Sequence, residues 1–151
     1  MPKKTKNVKY FEAVGRRKKA VARVRLYLVN KEKVATVSDV KIKQGEIIVN
    51  KKPINQYFST EVERSIYLLP LKITDNEDRF AISIIVRGGG ENGQLEAVAH
   101  GLARAIEKVD KQAYRLILKK AGLLSRDPRK RERRKAGTGG KARRIKQSPK
   151  R

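Results

Sequence analysis

Gly88, Gly90 and Gly93 stand at the spacing G-x-G-x-x-G, between a stretch of alternating apolar residues and one of helical periodicity. In that context a glycine-rich turn can seat the pyrophosphate of a dinucleotide on a helix N-terminus. The rest of a dinucleotide fold does not follow. Residues 111–122, where a second parallel strand belongs, repeat their apolar side chains at helical intervals, and too little chain remains for a doubly wound half. The glycines read instead either as a backbone loop that turns sharply where no side chain fits, or as a turn whose exposed N–H groups hold an RNA phosphate. GTGGK fails as a P-loop, with Lys135 in place of the first glycine and Ala142 in place of the hydroxyl residue. His100 is the only histidine, and no nucleophile or acid is spaced to work with it. There is no cysteine and no zinc-type spacing. The chain reads as a protein that is not an enzyme and needs no cofactor.

Binding chemistry is easier to find. Lysine and arginine number 39 against 15 aspartates and glutamates, a formal net charge of +24, which calls for a polyanionic partner. Two stretches concentrate it. Gly15 precedes Arg16, Arg17, Lys18 and Lys19, which read either as a solvated hairpin corner or as a polyanion contact; the total charge favours the contact. Residues 126–151 carry thirteen cations against Asp127 and Glu132 and almost no apolar side chain. Among them Arg126, Arg129, Lys130, Arg133, Arg134, Lys135, Lys141, Arg143 and Arg144 are candidate phosphate ligands, arginine as a bidentate fork and lysine as a point charge. A segment without a core gains order only against such a partner. An anionic membrane fits less well: there is no tryptophan and no basic amphipathic helix, and the apolar run FAISIIV is too short to span a bilayer. No signal peptide follows MPKKTKNVKY, and the absence of cysteine fits a cytoplasmic protein.

The elements that must position these cations follow from periodicity. Residues 1–9 are a flexible basic arm, 10–125 a globular α/β domain, and 126–151 an extended basic tail. Ala20, Ala22, Val24, Leu26 and Leu28 fall on one strand face, with Lys19, Arg23, Arg25 and Tyr27 on the other. Residues 30–44 read as a polar connection, and GEIIVN as a strand ended by KKP. Thr60 and Glu63 have capping-box spacing for a helix through Val62, Ile66 and Leu69, stopped at Pro70. A strand over 80–87 and a helix over 94–109 come next. Asp110 caps another helix with Tyr114, Ile117, Leu118 and Ala121 inward, and Gly122 ends it with Leu123 folded back. Asp127 and Pro128 can open a short, wholly charged helix. One sheet with helices against it is the expectation.

The segment from Gly88 through Gly93-Gln94, Ala97, Gly101 and Ala103-Arg104-Ala105-Ile106 resembles the signature of the small ribosomal subunit protein nine family in its bacterial form. GRRKKAVARV and IIVNKKPINQYF are similar to that family's first two strands, LKKAGLLSRDPRKRERRK to its last helix and tail root, and KARRIKQSPKR to its end. The likeness runs in order from Tyr10 to Arg151. It implies a four-stranded α/β domain with a left-handed βαβ element and helices on one side, as in the second domain of ribosomal protein five. It also implies a place in the head of the small subunit, beside neighbouring head proteins and on 16S-type ribosomal RNA. The tail would thread towards the peptidyl site, where Lys150 and Arg151 would touch the anticodon stem-loop of the bound transfer RNA. Ser148 and Pro149 replace the aromatic residue and serine that the family commonly has before its final pair. A histone-like DNA compactor is the competing class.

Overall fold

Alternating side chains in the first third of the chain form a hairpin: β1 (Tyr10–Arg17) runs antiparallel to β2 (Ala20–Leu28). Lys18 and Lys19 make the turn, with Lys18 in the left-handed region at φ 51°. The computed structural model describes residues 9–29, 34–37 and 40–134. Next come β3 (Val34–Val37), β4 (Val40–Lys43), β5 (Ile47–Val49), β6 (Lys52–Pro53), α1 (Ile54–Tyr57), α2 (Glu61–Ile73), β7 (Phe80–Arg87), α3 (Glu91–Val109) and α4 (Lys111–Lys120). The main sheet has the order β1-β2-β7-β5-β6, in which β5 and β7 are parallel and the other neighbours antiparallel.

The core follows from strand parity. Ala22, Val24 and Leu26 of β2 and Phe80, Ile82, Ile84 and Val86 of β7 are buried with Tyr67 and Leu71 of α2, Leu102 and Ile106 of α3, and Leu118 of α4. Gly15 of β1 meets α3 backbone to backbone: a Cβ there would lie 2.8 Å from Gly101 Cα, and one on Gly101 would lie 2.7 Å from Val24 Cγ2. Glycine at both positions is what lets strand and helix touch.

β1 is an edge strand, and α3 closes that edge with a stripe of side chains one helical turn apart. His100 Nδ1 accepts from the Arg16 N–H, while Arg104 and Lys108 donate to the carbonyls of Val14 and Glu12. Groups that would otherwise invite another strand are thereby occupied.

Several expectations need correction. The sheet has five strands, not four: β5 ends ahead of KKP as expected, but Asn50 and Lys51 turn left-handed (φ 48° and 68°) and fold Lys52–Pro53 back onto β5 as a further strand. Within 30–44, residues 34–37 and 40–43 pair as a hairpin instead of forming a polar connection. Ala35 and Ile42 bury against Tyr27, Ile48 and Ala81 on the face away from the helices. Pro70 does not stop α2, which runs on to Ile73. Its missing N–H removes one helical bond, but Pro70 and Leu71 are buried and the Thr74 hydroxyl donates to the Pro70 carbonyl at 2.8 Å.

The Thr60 N–H donates to the Glu63 carboxylate at 3.0 Å, as the capping spacing requires. Asp110 accepts from the N–H groups of Gln112 and Ala113. In α4 only Leu118 is buried; Tyr114 is half-buried, Ile117 is 42% exposed and Ala121 is exposed, because one narrow edge of the helix meets the core. Gly122 adopts φ 72°, and the N–H groups of Gly122 and Leu123 reach back to the carbonyls of Lys119 and Leu118, a Schellman ending.

Candidate nucleic-acid interface

Parity along β1 sends Ala13, Gly15 and Arg17 towards α3, so Arg17 is buried at 8% exposure although its neighbours Arg16, Lys18 and Lys19 are exposed. Its guanidinium pairs with Glu96 of α3 and with Asp127 at 3.1 Å, and donates to the Arg129 carbonyl at 2.6 Å. Three segments distant in sequence thus meet on one side chain: the end of the first strand, the first half of α3 and the root of the basic tail. A planar fork with several donors suits this task better than an ammonium would.

Asp127 is the other half of the clamp. It accepts from the Arg129 N–H at 2.8 Å and from the Arg129 guanidinium at 2.7 Å. Those Arg129 contacts first, and Arg17 beside them, hold the Asp127 carboxyl well below the usual carboxylate range. The expected short helix at 128–135 is absent over its described residues, 128–134, which have no regular structure. Asp127 bends the backbone into a local turn towards Arg17 instead of capping a helix, and a helix charged all round has no face to hold it.

His100 lies beside the clamp, its Nδ1 accepting from the Arg16 N–H at 3.3 Å. Burial first, then the charges of Arg104 and Arg126, push its pKa below the ordinary value. The folded protein therefore binds fewer protons here than the unfolded chain. Stability from this group is complete above about pH 6.5 and is lost as pH falls through the folded value. Thermal melts between pH 8 and 5 are expected to decline more steeply for the wild type than for His100→Gln in the lower part of that range. Equal slopes would mean that the imidazole does not carry the effect.

A second group of candidates gathers at the start of α3. Gly88 and Gly89 are left-handed (φ 72° and 71°) and pass close to the Lys19–Ala20 backbone: a Cβ on Gly88 would lie 2.8 Å from the Lys19 carbonyl oxygen. The lysine turn and the glycine loop are therefore adjacent. Gln94 holds the loop by donating to the Gly88 carbonyl at 3.2 Å and is itself held by the Tyr57 hydroxyl at 2.8 Å. Gly90 caps α3 without a side-chain partner and faces open space. A helix N-terminus beside exposed Lys18 and Lys19 is chemistry suited to an anionic oxygen.

Arg126, Arg129, Lys130, Arg133 and Arg134 are exposed along the tail root. Lys135, Lys141, Arg143, Arg144, Lys150 and Arg151 lie outside the described residues. Sequence reasoning grouped Arg17 with the surface cations and overlooked Glu96; the signal available was the inward parity of Ala13, Gly15 and Arg17.

Among the described residues no group of three or more histidines or carboxylates could hold a metal ion, and no helix is long and apolar enough to cross a membrane. The family model for ribosomal protein S9/S16 matches residues 15–151, from the glycine before the cationic turn through the whole basic tail. The chain therefore belongs to the S9/S16 family of ribosomal proteins: it is a non-catalytic structural protein that binds ribosomal RNA.

Proposed function

We propose that this protein stands in the head of the small ribosomal subunit, in the cytoplasm, on 16S-type RNA and beside neighbouring head proteins, and that its tail reaches the peptidyl-site transfer RNA. Arg16, Lys18 and Lys19 with Arg126, Lys130, Arg133, Arg134, Lys135, Lys141, Arg143 and Arg144 neutralise RNA phosphates. Arg17 and Arg129 serve the same interface from inside by fixing the direction in which the tail leaves. Lys150 and Arg151 contact the anticodon stem-loop. The division is a basic arm at 1–9, an RNA-anchored domain at 10–125 and a tail at 126–151. The parallel β5–β7 pair, bridged by α1 and α2, fits the βαβ element and the likeness to the second domain of ribosomal protein five.

The observation that carries this reading is the clamp. Arg17 ties the backbone at Arg129 to the domain through a 2.6 Å hydrogen bond, so the cationic segment beyond it starts from a fixed point. Twenty-two residues follow Arg129, and at ~3.3 Å each, fully extended, they could reach on the order of 70 Å from such a point.

The test is reconstitution of small subunits with the full chain or with a chain lacking Lys150 and Arg151. Loss of two charged contacts is expected to speed dissociation of peptidyl-site transfer RNA roughly tenfold. Unchanged dissociation would remove transfer RNA from the proposal. In a salt series on a sucrose gradient, the full chain should travel with small subunits and leave them as salt screens its phosphate contacts. Migration with DNA would favour the compactor instead.

A further inference from the structure

The sheet face opposite the helices is only partly covered. The β3–β4 hairpin lies over Tyr27, Ile48 and Ala81, and beyond it Val21, Arg23, Ile85 and Arg87 are exposed. There, cross-strand neighbours alternate cation and hydrocarbon: Val21 stands opposite Arg87, Arg23 opposite Ile85, and Arg25 opposite Ser83. Val21 and Ile85 are 39% and 37% exposed, unusual for apolar side chains in the middle of strands. The edge of the hairpin and the β5–β6 turn wall off a cleft of about 460 Å³ over this checkerboard, with Arg23, Arg25, Arg87 and Lys51 around it and Ile42 and Ile85 among its apolar lining.

Among the described residues no carboxylate lines the cleft. Arg25 pairs with Glu12 at 2.6 Å and lies 5.0 Å over the Tyr10 ring, whereas Arg23, Arg87 and Lys51 have no ion-pair partner among the described residues. Lys51 is held at this lip by a left-handed turn that a non-glycine residue adopts only when its surroundings impose it. They do: the Asn50 side chain bonds both backbone groups of Val86, at 3.0 and 3.1 Å, as though it were another strand residue.

We infer that this cleft binds an unpaired nucleotide of RNA, its base lying on the hydrocarbon between Arg23 and Arg87 and its phosphates held by Arg23, Arg87 and Lys51. The volume suits one small ligand, and the mixture of flat apolar floor and cationic rim matches a nucleotide. A duplex hides its base faces and offers such a site only phosphates, whereas a splayed base offers a π-face for hydrocarbon and guanidinium planes. The inference rests on the family's binding of ribosomal RNA. It adds a site on the opposite face of the sheet from the Arg17 clamp.

The test compares the full-length wild type, an Arg23→Gln/Arg87→Gln double variant and Ile85→Asn, using fluorescein-labelled hexauridylate and a 12-base-pair RNA duplex at fixed salt. All three side chains are exposed, so thermal melts should be unchanged, confirming folded variants. The double variant is expected to weaken hexauridylate binding about thirtyfold, and Ile85→Asn, which alters no charge, about fivefold, with duplex affinity changing less than threefold. Ultraviolet cross-linking of 4-thiouridine hexamer should map to the peptide containing Ile85. Equal losses on both RNAs would reduce the face to general electrostatics and overturn the inference. So would no loss on either RNA, or cross-links confined to the tail. Weakened co-assembly with head proteins while RNA affinity is kept would assign the face to a protein and overturn it too. Wild-type protein that binds neither RNA and fails to enter small subunits would instead count against the ribosomal reading.

Discussion

Replacing Gly15 by alanine is expected to destabilise the fold by about 3 kcal/mol, at the upper end for overpacking a well-fitted core. The new Cβ would fall on the Ala97 carbonyl oxygen, well inside van der Waals contact, and 2.8 Å from Gly101 Cα. Every atom it meets there belongs to helix backbone, so no flexible side chain can swing away. β1 must therefore part from α3, and the edge contacts of His100, Arg104 and Lys108 part with it. Urea denaturation of the variant should show a lower midpoint at an unchanged slope. Gly101→Ala presses on Val24 Cγ2 at 2.7 Å, a side-chain atom, and regains about 1 kcal/mol of helix propensity. Its net loss should be smaller. If Gly15→Ala melted like the wild type, the direct strand–helix contact would not be what holds this side of the sheet.

Arg17→Met should have the next largest effect, and it should be felt far from the substitution. Methionine fills much of the same space but removes the pairs to Glu96 and Asp127 and the donor to the Arg129 carbonyl. Glu96 is 46% exposed and can turn to water, so the cost is set at about 2 kcal/mol rather than the larger values for fully buried pairs. Trypsin should cut after Arg126 and Arg129 at least tenfold faster, and the Arg129 amide should lose protection from hydrogen exchange. Asp127→Asn should do the same to a lesser degree, because the amide still accepts from Arg129. A variant whose tail root stays as resistant as the wild type would show that the extended path does not depend on the clamp.

The strands β2 and β7 were legible because their inward residues are apolar at every second position while Arg23, Arg25, Ser83 and Arg87 break the apolar run at alternate positions. Nothing so regular marks the β3–β4 hairpin: among its described side chains Ala35 and Ile42 are buried in its small core with Val40 against them, too weak a signal to separate two short strands from a connection. Pro70 misled because a rule about helix interiors considers the missing N–H and not the burial that holds the last turn. The capping signals at Thr60, Asp110 and Gly122 were readable because each satisfies backbone groups locally. Arg17 was the reverse case. Its charge suggested a phosphate, whereas its position on the strand, which only the packing of α3 makes decisive, directs it to two carboxylates. The cationic run at 16–19 is therefore two things at once, three exposed cations and one internal tie.

The Arg17 tie has a further meaning for how the molecule is made. Its hydrogen bond to Arg129 spans 112 positions of sequence. A nascent chain can pair β1 with β2 as soon as both have emerged, but the last residue of that hairpin does not find its full set of neighbours until Asp127 and Arg129 follow. Until then a guanidinium enclosed by the domain has only Glu96 to balance it. Final consolidation of the earliest element thus waits for synthesis of the segment that leads into the tail, and a chain broken off before that point carries its own structural penalty, open to quality control.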